Sequence, residues 1–388
     1  HWPYCSSICP YCAFNKYLDG PHVNHNAMKQ AMCKELTNIV SKYYPLRTPK
    51  LTSIYFGGGT PSLAHIDTLQ TVVQTAATTF GTPLDSLEIT LEVNPDRMDI
   101  ERLVEFKRHA HINRVSLGVQ ALNDADLAYL GRTHTAKDAR AAIMACNEHF
   151  DRVNFDMIYA RRSSQSPSEW RAEIKDAISL CLRGHMSLYS LCFEEGTNFF
   201  RRMESKKTKD RIIPADHDLG YELYAIAKEE TEKAGLFQYE VSNFATPSQQ
   251  SIHNLNYWRG GDYIGIGPGA CSRVTNQSNQ KRTSLKCLLH PRSWQAQVDQ
   301  VGNGLDPKET KELTSEECIN EHLLMALRTA EGLNRQRFQS ISGGRSLEQV
   351  LPMSKLNHAI NNGLLILDEQ RLYPTPKGMM LLDKVILD

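Results

Sequence analysis

Three cysteines fall within eight residues, Cys5-Ser6-Ser7-Ile8-Cys9-Pro10-Tyr11-Cys12. Three thiolates on one short loop can hold three corners of a cubane [4Fe–4S] cluster and leave the fourth iron open to an external ligand. Zinc is the rival reading. A structural zinc ion asks for four protein ligands; no second CxxC or neighbouring histidine pair completes such a set, and His1 is the only histidine nearby. The other seven cysteines are scattered at 33, 146, 181, 192, 271, 287 and 318. That distribution reads as metal binding in a reducing compartment rather than as a disulfide framework.

A second constellation is His253-Asn254-Leu255-Asn256-Tyr257-Trp258, an HNxxYW motif. An imidazole can ligate haem iron axially, and Tyr257 and Trp258 can flank a porphyrin face or bond its edge. By itself, a histidine beside aromatics is more often packed in a core. The run Gly265-Ile266-Gly267-Pro268-Gly269 that follows reads as a backbone-lined wall or a tight irregular loop. Further back, Gly57-Gly58-Gly59-Thr60 follows an apolar run. Glycines there let backbone approach a ligand, or simply make a turn. Glu92 ends the next apolar run, and Asp156 sits inside Phe155-Asp156-Met157-Ile158, where a carboxylate needs a partner. Arg132 offers a planar guanidinium suited to a carboxylate.

The elements that must position these residues alternate. Strands are expected at 51–56, 87–93, 112–119, 152–158 and 186–193, with helices at 24–44, 66–80, 98–109, 124–148 and 168–183. Strand–helix units in series predict a parallel sheet with crossover helices, closed fully or partly into a (β/α) barrel. A helix over 216–235 and a strand over 237–244 follow, then a polar loop at 275–284. From 292 the chain reads as mostly helical and ends in a helix–strand–strand–helix pattern like a winged helix. Lys+Arg and Asp+Glu both number 44, so the net charge is +0. That balance argues against a nucleic-acid binder, and no apolar run is long enough for a membrane span.

Taken together, the motifs resemble radical S-adenosylmethionine (SAM) proteins. Over nearly the whole chain they resemble the HemW-type haem chaperones, relatives of oxygen-independent coproporphyrinogen dehydrogenase (HemN). The resemblance is carried by His1-Trp2-Pro3-Tyr4-Cys5, Cys9-Pro10-Tyr11-Cys12, Phe56-Gly57-Gly58-Gly59-Thr60-Pro61-Ser62 and Leu91-Glu92-Val93-Asn94-Pro95. Gly118-Val119-Gln120, Leu130-Gly131-Arg132-Thr133-His134 and the HNxxYW motif add to it. Phe14-Asn15-Lys16-Tyr17 and Tyr239-Glu240-Val241-Ser242-Asn243-Phe244 look most like the animal mitochondrial members.

The resemblance implies an α/β fold in three parts. Residues 1–245 form a partial radical SAM (β/α) barrel whose first strand is truncated before His1. Residues 246–290 form a haem-motif segment and linker, and 291–388 a mostly helical, winged-helix-like HemN-type domain. It implies a [4Fe–4S] cluster on Cys5, Cys9 and Cys12. It implies SAM bound by Gly58, Gly59, Thr60, Glu92, Gln120, Arg132 and Asp156, and haem held axially by His253 with Tyr257 and Trp258 around it. The implied activity is a chaperone that receives electrons from a donor and passes haem to an acceptor haemoprotein. The alternative is a coproporphyrinogen III dehydrogenase. Phe14 stands where HemN has a fourth cysteine, which points away from that alternative. Arg161-Arg162 replaces a usual Gly-Leu-Pro, and Cys271 replaces a usual histidine. Placement is mitochondrial by resemblance, or cytoplasmic in a bacterium, with any leader lying before His1.

Overall fold

The computed structural model describes residues 1–96, 100–207 and 211–382. Two short parallel strands, β1 (Tyr4–Cys5) and β2 (Tyr17–Leu18), bracket the cysteine loop. Then come α1 (His25–Tyr43), β3 (Ser53–Phe56), α2 (Ile66–Phe80), β4 (Glu88–Val93), α3 (Ile100–Ala110) and β5 (Arg114–Gln120). They are followed by α4 (Asp124–Tyr129), α5 (Ala136–His149), β6 (Arg152–Tyr159), α6 (Pro167–Leu180) and β7 (His185–Ser190). Next are α7 (Asn198–Met203), α8 (His217–Lys233), β8 (Phe237–Glu240), β9 (Asn243–Ala245) and α9 (Ile252–Trp258). One seven-stranded sheet has the order β3-β4-β5-β6-β7-β9-β8. Its first five strands are parallel, and β9 pairs antiparallel with both β7 and β8. This is a partial barrel, as expected.

The period-2 alternation of each strand sorts the sheet into two faces. Ile89, Leu91, Val115, Leu117, Val153, Phe155, Met186 and Leu188 belong to the main apolar core. The alternate positions, Tyr55, Glu92, Arg114, Ser116, Asn154, Asp156, His185 and Ser187, line a lumen. A barrel that buries polar side chains in its interior must satisfy them or leave room for a ligand.

Two expectations are corrected. The helix over 124–148 is two helices, because Gly131 at φ +68 turns the chain where an added Cβ would lie 2.5 Å from Pro10 of the cysteine loop. The strand over 237–244 is the β8–β9 hairpin. The polar stretch at 275–284 is the loop joining β10 (Cys271–Thr275) to β11 (Arg282–Lys286), an antiparallel pair that takes in its ends. Next is α10 (Pro291–Val301).

Buried Glu35 of α1 ties this middle segment to the barrel. Its carboxylate accepts hydrogen bonds from the Gly267 and Gly304 amides at 2.8 and 2.7 Å and from the Trp294 indole at 3.1 and 3.0 Å. Beyond it lies a separate core that includes Ile319, Leu333, Phe338, Leu365, Leu372 and Leu382. It packs helices, among them α11 (Ser315–Ala326), against a small antiparallel sheet. No helix among the described residues is long and apolar enough to cross a membrane.

Candidate cofactor site in the barrel lumen

The cysteine loop is pinned across the mouth of the lumen by backbone pairing. Trp2 N–H donates to Gly57 O (2.9 Å), Gly59 N–H to Trp2 O (2.7 Å) and Thr60 N–H to Tyr4 O (2.8 Å). A Cβ on Gly59 would meet the Pro3 and Tyr4 backbone at 2.7 Å. This glycine is therefore demanded by β1 in the first place, rather than by a ligand. Cys5 ends β1, and Cys9 and Cys12 share a turn closed by a 3.2 Å bond from Cys12 N–H to Cys9 O. Burial pushes the Cys5 and Cys12 thiols up, while a hydrogen bond with Thr60 opposes this at Cys5. Among the described residues no three His, Cys, Asp or Glu side chains converge as ligands of one metal ion would. A cubane asks each thiolate for a different iron, so it does not require that convergence.

All three cysteines line a single cavity of about 340 Å³ together with Gly58, Gly59, Thr60, Glu92, Gln120, Arg132 and Asp156. The structure thus brings together every residue singled out for the cluster and SAM. Glu92 Oε1 accepts from the Tyr55 hydroxyl (2.8 Å) and Oε2 from the Gly58 amide (3.1 Å). Burial raises its pKa, and the Tyr55 bond opposes that rise. Asp156 faces Glu92. Burial, with the Glu92 charge second, pushes it up to about 7, opposed by the polar Ser187 and Arg132 side chains. Arg132 donates to Asn94 Oδ1 (2.6 Å) and Gly118 O (2.9 Å), and its other amino group reaches Cys9 Sγ (3.4 Å). These contacts brace the cysteine loop. Gln120 holds φ +74, a strained value for a non-glycine residue, of the kind that clusters at functional sites.

Arg161 and Arg162 are turned away from this cavity. Arg161 is fully buried and pairs with Asp126 (2.9 Å) and Glu173, and Arg162 pairs with Asp126 (2.6 Å). Neither replaces a lumen contact.

The HNxxYW motif is helical. It forms α9, seated under the N-terminal ends of β3 to β5. Glu88, at the start of β4, accepts from Ser251 Oγ (3.3 Å) and the His253 amide (3.0 Å) and pairs with Arg152 (2.9 Å) and Arg114 (3.5 Å). The motif's side chains divide by i, i+4 spacing. Asn254 and Trp258 face the buried Glu240 carboxylate and oppose the rise in its pKa that burial causes. His253 and Tyr257 share another face. The His253 ring stacks on Tyr55 (4.6 Å, 18°), meets Tyr257 edge-on (4.7 Å), and has Nδ1 3.2 Å from Ser53 Oγ. Tyr257 in turn meets Tyr263 edge-on at 4.4 Å. Burial and then Arg114 lower the His253 pKa to about 4, so the ring is neutral with a lone pair to offer. The half-buried His253–Tyr257 face is thus assembled, and Trp258 lies on the face turned to Glu240. Cys271 is exposed at the start of β10.

Sequence reasoning missed Tyr55, Asn94 and the lower lumen of Ser116, Asn154, His185, Ser187 and Asn243. The signal was present as polar residues two apart within apolar strands.

A model of the radical SAM superfamily matches residues 1–162 and a HemN C-terminal domain model matches 313–381. The solved structure of coproporphyrinogen III oxidase (HemN) from Escherichia coli matches with a TM-score of 0.77, covering 100% of this chain and 88% of that one, at 19% identity. The fold is therefore a radical SAM half-barrel with a HemN-type C-terminal domain. Radical S-adenosyl methionine domain-containing protein 1, mitochondrial, of Dictyostelium discoideum is 43% identical over 413 residues, covering 100% of this chain and 92% of its own. Its Danio rerio counterpart is 36% identical over 390 residues, covering 100% and 85%. Heme chaperone HemW of Bacillus subtilis is 31% identical over 390 residues, covering 99% and 96%. The chain belongs to the family that includes radical SAM domain-containing protein 1 and HemW.

Proposed function

We propose that this protein is a haem chaperone built on a radical SAM half-barrel. Cys5, Cys9 and Cys12 would hold a [4Fe–4S] cluster, and Gly58, Gly59, Thr60, Glu92, Gln120, Arg132 and Asp156 would hold SAM. His253 would ligate haem destined for an acceptor haemoprotein. The cluster and SAM, when bound, supply redox and radical chemistry that belongs to the cofactors. The residues supply the enclosure. Glu92 and Asp156 offer paired carboxylates to a cationic ligand, Arg132 places a cation beside Cys9, and the apolar core seals the outer face of the sheet.

The observation that carries the reading is the assembled His253–Tyr257 face on α9 beneath a lumen lined by the cysteine loop. For His253 Nε2 to meet iron, Nδ1 must keep its proton and donate to Ser53 Oγ, an orientation that a neighbouring oxygen commonly enforces on metal-bound imidazole. The names of the relatives support haem as cargo and a mitochondrial location. Phe14, exposed on the cysteine loop, leaves no fourth thiol at the position where HemN has one.

The test is an anaerobic pair of assays on cluster-loaded protein. One follows haem transfer to an apo-haemoprotein, and the other follows coproporphyrinogen III with SAM and a reductant. Transfer without decarboxylation supports the proposal. Conversion to protoporphyrinogen without transfer refutes it.

A further inference from the structure

Strand β3 touches both halves of this molecule. Its C-terminal end runs into Gly57–Thr60 at the mouth of the lumen, and its inward positions Ser53 and Tyr55 hold the His253 ring. Tyr55 does two things at once. Its hydroxyl donates to Glu92 Oε1 at 2.8 Å, and its ring lies almost parallel to His253, 4.6 Å away and tilted by 18°. Both Glu92 oxygens already have donors, Tyr55 and the Gly58 amide. A ligand that donates to Glu92 must share or displace one of them. The Gly58 amide is held by backbone pairing to the cysteine-loop strand on both sides, through Gly57 O and Gly59 N. The Tyr55 phenol turns on side-chain torsions and is the donor free to yield.

We infer that Tyr55 is a positioning residue that couples occupancy of the Glu92 cavity to the orientation of His253. This rests on the reading of His253 as the haem ligand and adds a regulation of that site. A SAM-type ligand on Glu92 releases or shifts the phenol. The ring tilts with it, and the stacked imidazole, held otherwise by Ser53 and Tyr257, follows. A two-site coupling of this kind is reciprocal: whatever factor one ligand imposes on the other's affinity is returned. Such couplings commonly run from about five- to 150-fold, and through one phenol the low end, about fivefold, is the expected scale.

The experiment uses the cluster-loaded protein, anaerobic and without reductant. Haem affinity is measured from the Soret band with and without S-adenosylhomocysteine, in wild type and Tyr55→Phe. The phenylalanine keeps the stacked ring and removes only the bond to Glu92. The expected result is a severalfold shift in wild type that falls to about one in Tyr55→Phe. A second readout needs no haem: the His253 imidazole resonance, assigned by its loss in His253→Gln, should move when S-adenosylhomocysteine is added to wild type and stay still in Tyr55→Phe. If wild type shows neither effect, or Tyr55→Phe keeps both, the inference is overturned. If wild type binds no haem, the haem reading falls, while the imidazole resonance still decides this one.

Discussion

Replacing Asp156 by Asn keeps the shape of the side chain and removes its charge. Asp156 faces Glu92 across the lumen and is raised from 3.8 to about 7 by burial, with the Glu92 charge adding to it. The Ser187 hydroxyl and the Arg132 charge oppose the rise. Below about pH 5.5 the group is neutral and above pH 8 it is an anion. A cationic ligand such as SAM should therefore bind more tightly as pH rises through 7, because binding favours the deprotonated form. A charge-assisted hydrogen bond is worth about 1.5–3 kcal/mol, which is a ten- to hundredfold change in affinity. Asp156→Asn should lose about that factor at pH 7.5 and almost nothing at pH 5.5, where Asp and Asn are alike. The assay is SAM binding by calorimetry on cluster-loaded protein without reductant, from pH 5.5 to 7.5. Over that range the ligand's amine stays largely protonated. The neighbouring histidines do not confound it: His134 and His253 are lowered to about 4 by burial, and His185 is well below its ordinary value. Glu92 is raised as well, so the two carboxyls titrate as a pair and the assay reads an apparent value. Stability follows the same shift with a definite sign. The native carboxyl binds its proton more tightly than the unfolded one, so the ligand-free protein loses stability as pH rises from about 4 through 7, by at most ~4 kcal/mol. A wild-type affinity that is flat with pH, or an Asp156→Asn variant that keeps the wild-type slope, would refute this placing of the ligand's charge.

Three further outcomes are expected. Replacing Cys5, Cys9 or Cys12 by Ala should abolish the thiolate-to-iron absorbance near ~400 nm, read anaerobically with iron analysis, while Ser at Cys33, Cys146 or Cys318 should leave iron content unchanged. Glu35→Ala strips the acceptor from two buried amides and an indole; it should cost about 3–5 kcal/mol in urea unfolding, and Glu35→Gln clearly less. Trp258→Phe removes the indole N–H that faces Glu240 and should lower stability by up to about 1 kcal/mol with haem affinity unchanged. A shifted Soret band with unchanged stability would return Trp258 to the haem pocket.

Much of this was legible in the residues. The five parallel strands announced themselves as short apolar runs, and the crossover helices as amphipathic segments between them. What the sequence concealed was orientation. Glu88, Arg114 and Arg152 look like surface charges at strand starts, yet they form the ion network that seats α9. The HNxxYW motif gave no sign that Asn254 and Trp258 would turn to Glu240, because that partner belongs to a hairpin the apolar pattern read as one strand. Gly59, a candidate ligand contact, is also required by the approach of β1, which the sequence did not show. Arg161-Arg162, a departure from the family pattern, is absorbed by Asp126 and Glu173, neither of them adjacent in sequence. Each miss is a long-range pairing, which local pattern does not encode.

The central claim is that His253 holds haem, and its most direct test is the haem spectrum of His253→Ala. Ferric and ferrous Soret bands are recorded on cluster-loaded wild type and variant, with iron and sulfide counted in both. The expected result is a lost or displaced Soret band with haem affinity reduced, and a cluster content equal to wild type because the thiols lie at the opposite end of the lumen. An unchanged spectrum and affinity would contradict the account and move the search for the ligand to Cys271.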